Sequence, residues 1–251
     1  MGSADVAAFS AKLRGVGAAA SFVAIEGRTR SAIKVMDEQR SKDTEFNQTG
    51  FTVSKANLEA LFTLLEEALP AASWLVLSGS LPEGAPPDVY ADLIALARRH
   101  HIRTCLDASG QPLLAGLAAL PSLLRVNRTE LEEAAGCPLH DHASLLSAIQ
   151  AILQRGVERL AVSLGGQGVI AADASASVLV LVPPVKVVSL TGAGDTLTAG
   201  CLHAFSLGQP FQEALRFASA LATVSTLREE PGDFSLDDLT TMMEKTTLVN
   251  L

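Results

Sequence analysis

Hydrophobic and polar positions along this chain change period again and again. "SKANLEALFTLLEEALP" (54–70) places apolar residues three and four apart, which predicts a helix with Ser54 as N-cap and a stop at Pro70. "SWLVLSGSLPEG" (73–84) is instead an unbroken apolar run ending in a Gly-Ser turn, the pattern of a buried strand. The alternation continues with a helix over 87–100, strands over 102–107 and 122–127, and a helix over 128–136 closed by Gly136. A helix over 142–156 closed by Gly156 follows, then a strand, glycine turn and strand over 159–173. Strands are also predicted over 177–182 and 185–190, and long helices over 196–208 and 211–227. Towards the start, 1–15 reads as an amphipathic helix and not as a signal peptide, and 21–26 and 31–37 read as extended. The polar stretch 40–50 suits an exposed hairpin or lid.

Strands alternating with helices, with buried strands rich in Val, Leu and Ile, predict an α/β fold. The expected architecture is a three-layer α/β/α sandwich with a mostly parallel central sheet and a small β-lid. We expect one domain over 1–251, with about 21–50 contributing to the lid. In such sheets ligands sit at the carboxyl ends of strands. The turns "SGSLPEG", "LDASG", "SLGGQG" and "TGAGD" all follow strands, so they are expected on one rim.

Composition narrows the classes. The chain has 251 residues, 48% hydrophobic and only 4% aromatic, enough for an aliphatic core. The formal net charge of −8 disfavours nucleic acid or an anionic membrane as the main partner. No apolar run reaches the length of a membrane span. Cys105, Cys137 and Cys201 are scattered and unpaired in spacing, which favours a reduced, cytoplasmic setting and a core-filling role. His100, His101, His140 and His142 stand in polar helix-end contexts and are expected to be solvated. P-loop, GxGxxG, GxSxG and HExxH patterns are absent.

The densest chemistry is "SLTGAGDTLTAG" (189–200). Gly192, Ala193 and Gly194 open a helix without bulk, so backbone N–H groups and the helix dipole can converge on an anion. A carboxylate there repels phosphate unless it takes a proton from a hydroxyl attacking that phosphate, which makes Asp195 a candidate general base. Helix capping is the competing explanation, but a capping box wants its acid three residues after the cap, and Thr191 to Asp195 is four. In "SLGGQG" (163–168) the glycines permit close approach of a nucleotide, or simply turn a hairpin. Asn127 and Glu130 share one face of a first helical turn, where they can organise Mg²⁺ and its waters or merely cap the helix. Arg28 and Arg30 are phosphate clamps or solvated charges. Ser80 is a sugar or phosphate ligand, or a turn residue.

The ordered set "GRTRSAIKV", "TEFNQTGFTVS", "LSGSLPEG", "LDASG", "NRTELEEAAG", "AVSLGGQGVIAAD" and "PPVKVVSLTGAGDTLTAG" resembles the ribokinase-like phosphofructokinase B family of sugar kinases. The resemblance runs from about residue 5 to the end, and "TEFNQTGFTVS" looks most like the bacterial 1-phosphofructokinase branch. It implies an ATP- and Mg²⁺-dependent kinase converting fructose 1-phosphate to fructose 1,6-bisphosphate, with tagatose-6-phosphate kinase a similar alternative. It implies Asp195 as base, with Gly192, Ala193 and Gly194 as anion hole. Arg125, Asn127, Ser163, Leu164, Gly165, Gly166, Gln167, Gly168, Ser189 and Thr191 would line the ATP site. Glu130 would act with Asn127 on Mg²⁺ through water or phosphate, and Arg30 and Ser80 would hold the sugar phosphate. The lid would shield the sugar and pair two copies into a homodimer. Two departures stand out. Arg125-Val126-Asn127 replaces the family's Lys-Pro-Asn, and the family's N-terminal part, with a sugar-binding Asp and a Gly-Gly loop, has no counterpart. The chain is thus expected to be a piece of a longer protein, a misplaced start, or a shortened member. A shortened non-catalytic nucleotide-binding remnant is the rival reading of its function, and a dinucleotide-binding oxidoreductase is a third.

Overall fold

The computed structural model describes residues 1–37 and 42–251. It divides into two compact units: residues 1–72 with 80–89, and residues 73–79 with 90–251. The part of the expected lid at 38–41 lies outside the described residues.

The first unit opens with helix α1 (Val6–Gly15). Strands β1 (Ala32–Asp37) and β2 (Lys42–Asn47) then pair antiparallel, with Ile33 opposite Phe46 and Val35 opposite Thr44. Helix α2 (Lys55–Ala68) starts in a reciprocal capping box between Ser54 and Asn57, as the Ser54 cap predicted, and passes into a 3₁₀ turn (Leu69–Ala71) at Pro70. The predicted strand over 21–26 does not form. That stretch is held by a single parallel bridge between Gly2 and Ile25 and by the Met1 ammonium donating to the Val23 carbonyl at 2.9 Å.

The second unit is built on a sheet of seven strands in the order β3 to β9. Its elements are β3 (Trp74–Ser78), α3 (Val89–Arg99), β4 (Arg103–Asp107), α4 (Gly110–Ala118), β5 (Leu123–Asn127), α5 (Arg128–Ala135), α6 (His142–Gln154) and β6 (Arg159–Ser163). These are followed by β7 (Val169–Asp173), β8 (Ser177–Leu181), α7 (Ala193–Ser206), α8 (Phe211–Ser225), α9 (Leu236–Lys245) and β9 (Thr247–Asn250). β3 to β6 run parallel, and β4, β5 and β6 are each reached from the strand before by a helical crossover. From β6 onward the pairing is antiparallel. The sheet is therefore mixed: the turn at 164–168 is too short for a crossover, so β7 folds straight back on β6.

Strand alternation sorts the core into two layers. Cys105, Leu123, Ala161, Ala171 and Val180 pack with Leu197 and Cys201 of α7 and Leu215 and Ala218 of α8. Their neighbours Leu106, Leu124 and Leu160 are equally buried and point to the opposite face. Gly200 makes α7 and α8 close neighbours, because a Cβ there would stand 2.9 Å from the Ala218 Cα. The predicted strand over 185–190 is not a strand. Val187, Val188 and Leu190 are exposed, and the Val188 and Ser189 N–H groups both donate to the Thr226 carbonyl at the end of α8.

Candidate functional site

Because β3 to β6 are parallel, their carboxyl ends share one edge of the second unit, marked by Ser78, Asp107, Asn127 and Ser163. Arg125, two residues before the end of β5, ties this edge together. Its Nη1 donates to both carboxylate oxygens of Asp107 (3.2 and 3.3 Å) and its Nη2 to the Ser163 hydroxyl (3.1 Å). Thr198 of α7 donates to Asp107 Oδ2 at 3.2 Å. The Arg125 and Asp107 side chains keep only 13% and 12% of their exposure, and Arg125 Nε is buried without a partner. A charge so far from water is tolerated because its counter-charge and hydrogen-bond acceptors are built around it.

The first turn of α7 rests on that guanidinium. A Cβ on Gly194 would lie 2.7 to 2.9 Å from its terminal atoms, so residue 194 must be glycine for Arg125 to lie there. Gly192 is the N-cap, in the left-handed region at φ 77°, and a Cβ on it would meet Pro231 at 2.9 Å. The cap is one residue later than the spacing argument assumed. Asp195 does stand three residues after it, but glycine offers no side-chain oxygen, so no reciprocal cap forms. The Asp195 carboxylate is exposed, and its Oδ1 accepts a hydrogen bond from Ser78 Oγ at 3.2 Å. The amides of Gly194 and Asp195 belong to a first turn that has no carbonyl one turn earlier.

The other expected residues fall as follows. Asn127 and Glu130 form a complete capping box: Asn127 Oδ1 accepts from the Glu130 N–H at 2.9 Å and Glu130 Oε2 from the Asn127 N–H at 2.7 Å. Burial pushes the Glu130 carboxyl above its ordinary pKa, against the pull of that hydrogen bond. Leu164 to Gly168 form the tight turn between β6 and β7, with Gly165 and Gly168 at positive φ. Gly168 cannot be anything larger, since a Cβ would stand 1.9 Å from the Val180 carbonyl oxygen. Gln167 accepts from Arg128 at 3.4 Å, which sets this turn beside the start of α5. The Ser189 hydroxyl accepts from the Thr191 N–H at 3.2 Å. Asp195, Gly194, Arg125 and Ser163 are thus linked directly, while Asn127 and Glu130 stand at the end of the same strand as Arg125.

Arg30 and Ser80 belong to the first unit, where Arg30 Nη2 donates to the Ser80 hydroxyl. With Thr29, Thr49, Gly50 and Phe51 they line a cavity of about 150 Å³. Arg28 pairs instead with Asp5 at 3.6 Å. Among the described residues no cluster of three His, Cys, Asp or Glu side chains is spaced for a metal ion. His101, His140 and His142 are exposed as expected. The sequence pattern did not single out Ser78, Tyr90, Asp107 or Thr198. Asp107 and Ser78 had a legible signal, a polar residue at the last position of an apolar strand.

The pattern that defines the pfkB family carbohydrate kinases matches residues 4–238. The chain belongs to that family. Among the relatives of this pfkB kinase, the 1-phosphofructokinase of Rhodobacter capsulatus is 33% identical over 223 residues, covering 88% of this chain and 71% of that protein. The 1-phosphofructokinase of Escherichia coli K12 is 32% identical, covering 93% and 74% respectively. In structure the kinase is similar to phosphofructokinase-2 from Escherichia coli in complex with potassium. The TM-score is 0.84 and the identity 28%, over 95% of this chain and 77% of that one. The chain is accordingly a phosphotransferase of the sugar-kinase class, and sugar kinases of this family use ATP, typically with Mg²⁺. No helix among the described residues is long and apolar enough to cross a membrane.

Proposed function

We propose that this pfkB kinase transfers the terminal phosphoryl group of ATP to fructose 1-phosphate, giving fructose 1,6-bisphosphate, with Asp195 as the general base. The observation that carries the reading is the exposed Asp195 carboxylate beside the unpaired first-turn amides of α7. The named relatives support the sugar, since they are 1-phosphofructokinases. In this reading the acceptor O–H bond breaks as Asp195 takes its proton, a new O–P bond forms, and the bond from phosphorus to ADP breaks. The amides of Gly194 and Asp195 stabilise the charge on the transferred group, and the α7 dipole adds to them, while the Ala193 N–H of the expected anion hole is spent on the Leu190 carbonyl at 3.2 Å. Arg125 contributes from beneath Gly194, through the gap that the missing side chain leaves.

The turn at 163–168, with Asn127, Ser189 and Thr191, holds the nucleotide. A Mg²⁺ ion fits a donor set this sparse, because it keeps most of its waters and needs only one or two carboxylates besides phosphate oxygens. When bound it would neutralise charge between the phosphates, and Glu130, with Asn127, is the carboxylate that would hold it through water. Arg30 and Ser80 clamp the phosphate already on the sugar, an assignment that the cavity they line supports. Exposed Ile33, Val35 and Phe46 on one face of the β1–β2 hairpin support its role as the surface where two copies pair. The three thiols are free, in keeping with a cytoplasmic enzyme.

The test is a coupled ADP-release assay with fructose 1-phosphate, fructose 6-phosphate and tagatose 6-phosphate. Turnover greatest with fructose 1-phosphate is the expected result. Turnover greatest with another sugar phosphate reassigns the substrate, and ATP binding without sugar-dependent ADP leaves a nucleotide-binding protein in place of the kinase. Arg30→Ala is expected to raise KM for the sugar phosphate by about tenfold or more, the loss of one charge-assisted contact, with KM for ATP unchanged. A shift in KM for ATP alone would remove Arg30 from the sugar site.

A further inference from the structure

The Asp195 carboxylate has one hydrogen-bond donor among the described residues, the Ser78 hydroxyl at the tip of β3. That contact joins positions 117 residues apart. Ser78 is itself exposed, so its hydroxyl was free to turn to water; what fixes it is the backbone around it. The N–H of Gly79 donates to the Asp107 carbonyl at 3.0 Å, continuing the β3–β4 ladder one residue past its end. On the other side the Tyr90 hydroxyl lies 3.1 Å from the Ser78 carbonyl oxygen and 2.9 Å from that of Gly79, and its single hydrogen is shared between them. Tyr90 is buried at the start of α3, so this clamp is anchored in the core. Gly79 turns the chain at φ 90°, with nothing within 4 Å of where a Cβ would be. It is glycine for its conformation and not for space.

We infer that Ser78, clamped by Tyr90, is a positioning residue for Asp195: it occupies Oδ1 and leaves Oδ2 to take the proton. The inference rests on the reading of Asp195 as the base. A carboxylate on a free rotor presents either oxygen in several rotamers. One hydrogen bond from a hydroxyl carried on a fixed backbone removes part of that freedom before substrate arrives. The hydrogen bond is compatible with both ends of the step, since Oδ1 accepts from Ser78 before and after Oδ2 gains its hydrogen.

The experiment compares Ser78→Ala, Ser78→Thr and Asp195→Asn, alone and combined, by steady-state kinetics on the intact chain. Ser78→Ala is expected to lower kcat by about ten- to a hundredfold, with KM for ATP and sugar near the parent values and Tm little changed. Ser78→Thr, which keeps the hydroxyl, is expected to restore most of kcat. In the Asp195→Asn background Ser78→Ala is expected to cost nothing further. Full activity of Ser78→Ala, an equal loss in Ser78→Thr, or additive losses in the double variant would each overturn the inference. If Asp195→Asn itself turns over at the parent rate, the base assignment fails and the inference falls with it. A crystal structure of Ser78→Ala decides the point without turnover: Asp195 in more than one rotamer supports the inference, and an unmoved carboxylate overturns it.

Discussion

Asp195→Asn is expected to reduce sugar-dependent ADP release by about 10²- to 10⁴-fold, the usual contribution of a positioned base. ATP affinity, read by calorimetry, is expected to stay close to that of the parent. The amide is nearly the same size and still accepts from Ser78, so the geometry of the turn is retained while the proton acceptor is lost. Of the carboxylates at the neighbouring strand ends, Asp107 is engaged by Arg125 and Thr198, and Glu130 by the Asn127 N–H. The variant folds as the parent does, because Asp195 is exposed and its service to the helix dipole is worth only about 0.3–1 kcal/mol. Turnover at the parent rate would remove Asp195 from the chemistry. Loss of ATP binding together with turnover would make it a binding residue instead.

What the sequence made legible is what single segments decide. Ser54 before an amphipathic run, Asn127 three residues before Glu130, and Gly136 in the left-handed conformation after α5 are local signals, and each stands where the pattern put it. The pattern failed where neighbours decide. The stretch 185–190 has the alternation of a strand but finds no strand to pair with. Its Val188 and Ser189 N–H groups are taken by the end of α8, and that attachment brings the chain to the start of α7. Helix α4 forms where the pattern left the chain unassigned, and it carries the helix-disfavouring Pro112 and Gly116. Pro112 is harmless in a first turn, where its missing N–H has no acceptor anyway. Gly116 is required because a Cβ would stand 2.8 Å from the Leu106 side chain. The site divides in the same way. Glycines beside an acid marked the first turn of α7 from sequence alone. Ser78 and Asp107 carry their roles only through β3 and β4, which bring the strand tips beside α7.

Arg125 joins those two levels, and replacing it is expected to have the largest effect on stability. Arg125→Met fills a similar volume but leaves the Asp107 carboxylate, 12% exposed, with the Thr198 hydroxyl and no counter-charge. Breaking a pair that is only partly buried costs less than the ~3–5 kcal/mol of a fully buried one, but still a sizeable share of the stability of any single domain. Denaturant unfolding should show it as a lower midpoint. Adding Asp107→Asn removes the stranded charge and is expected to recover part of the loss, so the two changes are not additive. Arg125→Lys keeps the charge but not the fork, which now reaches Asp107 with one terminal nitrogen and Ser163 with the other. It is expected to be the milder variant, and it empties the space over which Gly194 now lies. Gly194→Ala should therefore be more damaging with Arg125 present than with lysine, since the added methyl meets the guanidinium at 2.7 to 2.9 Å. Equal damage in both backgrounds would mean that Gly194 is glycine for the sake of the phosphoryl group above it and not for the arginine below.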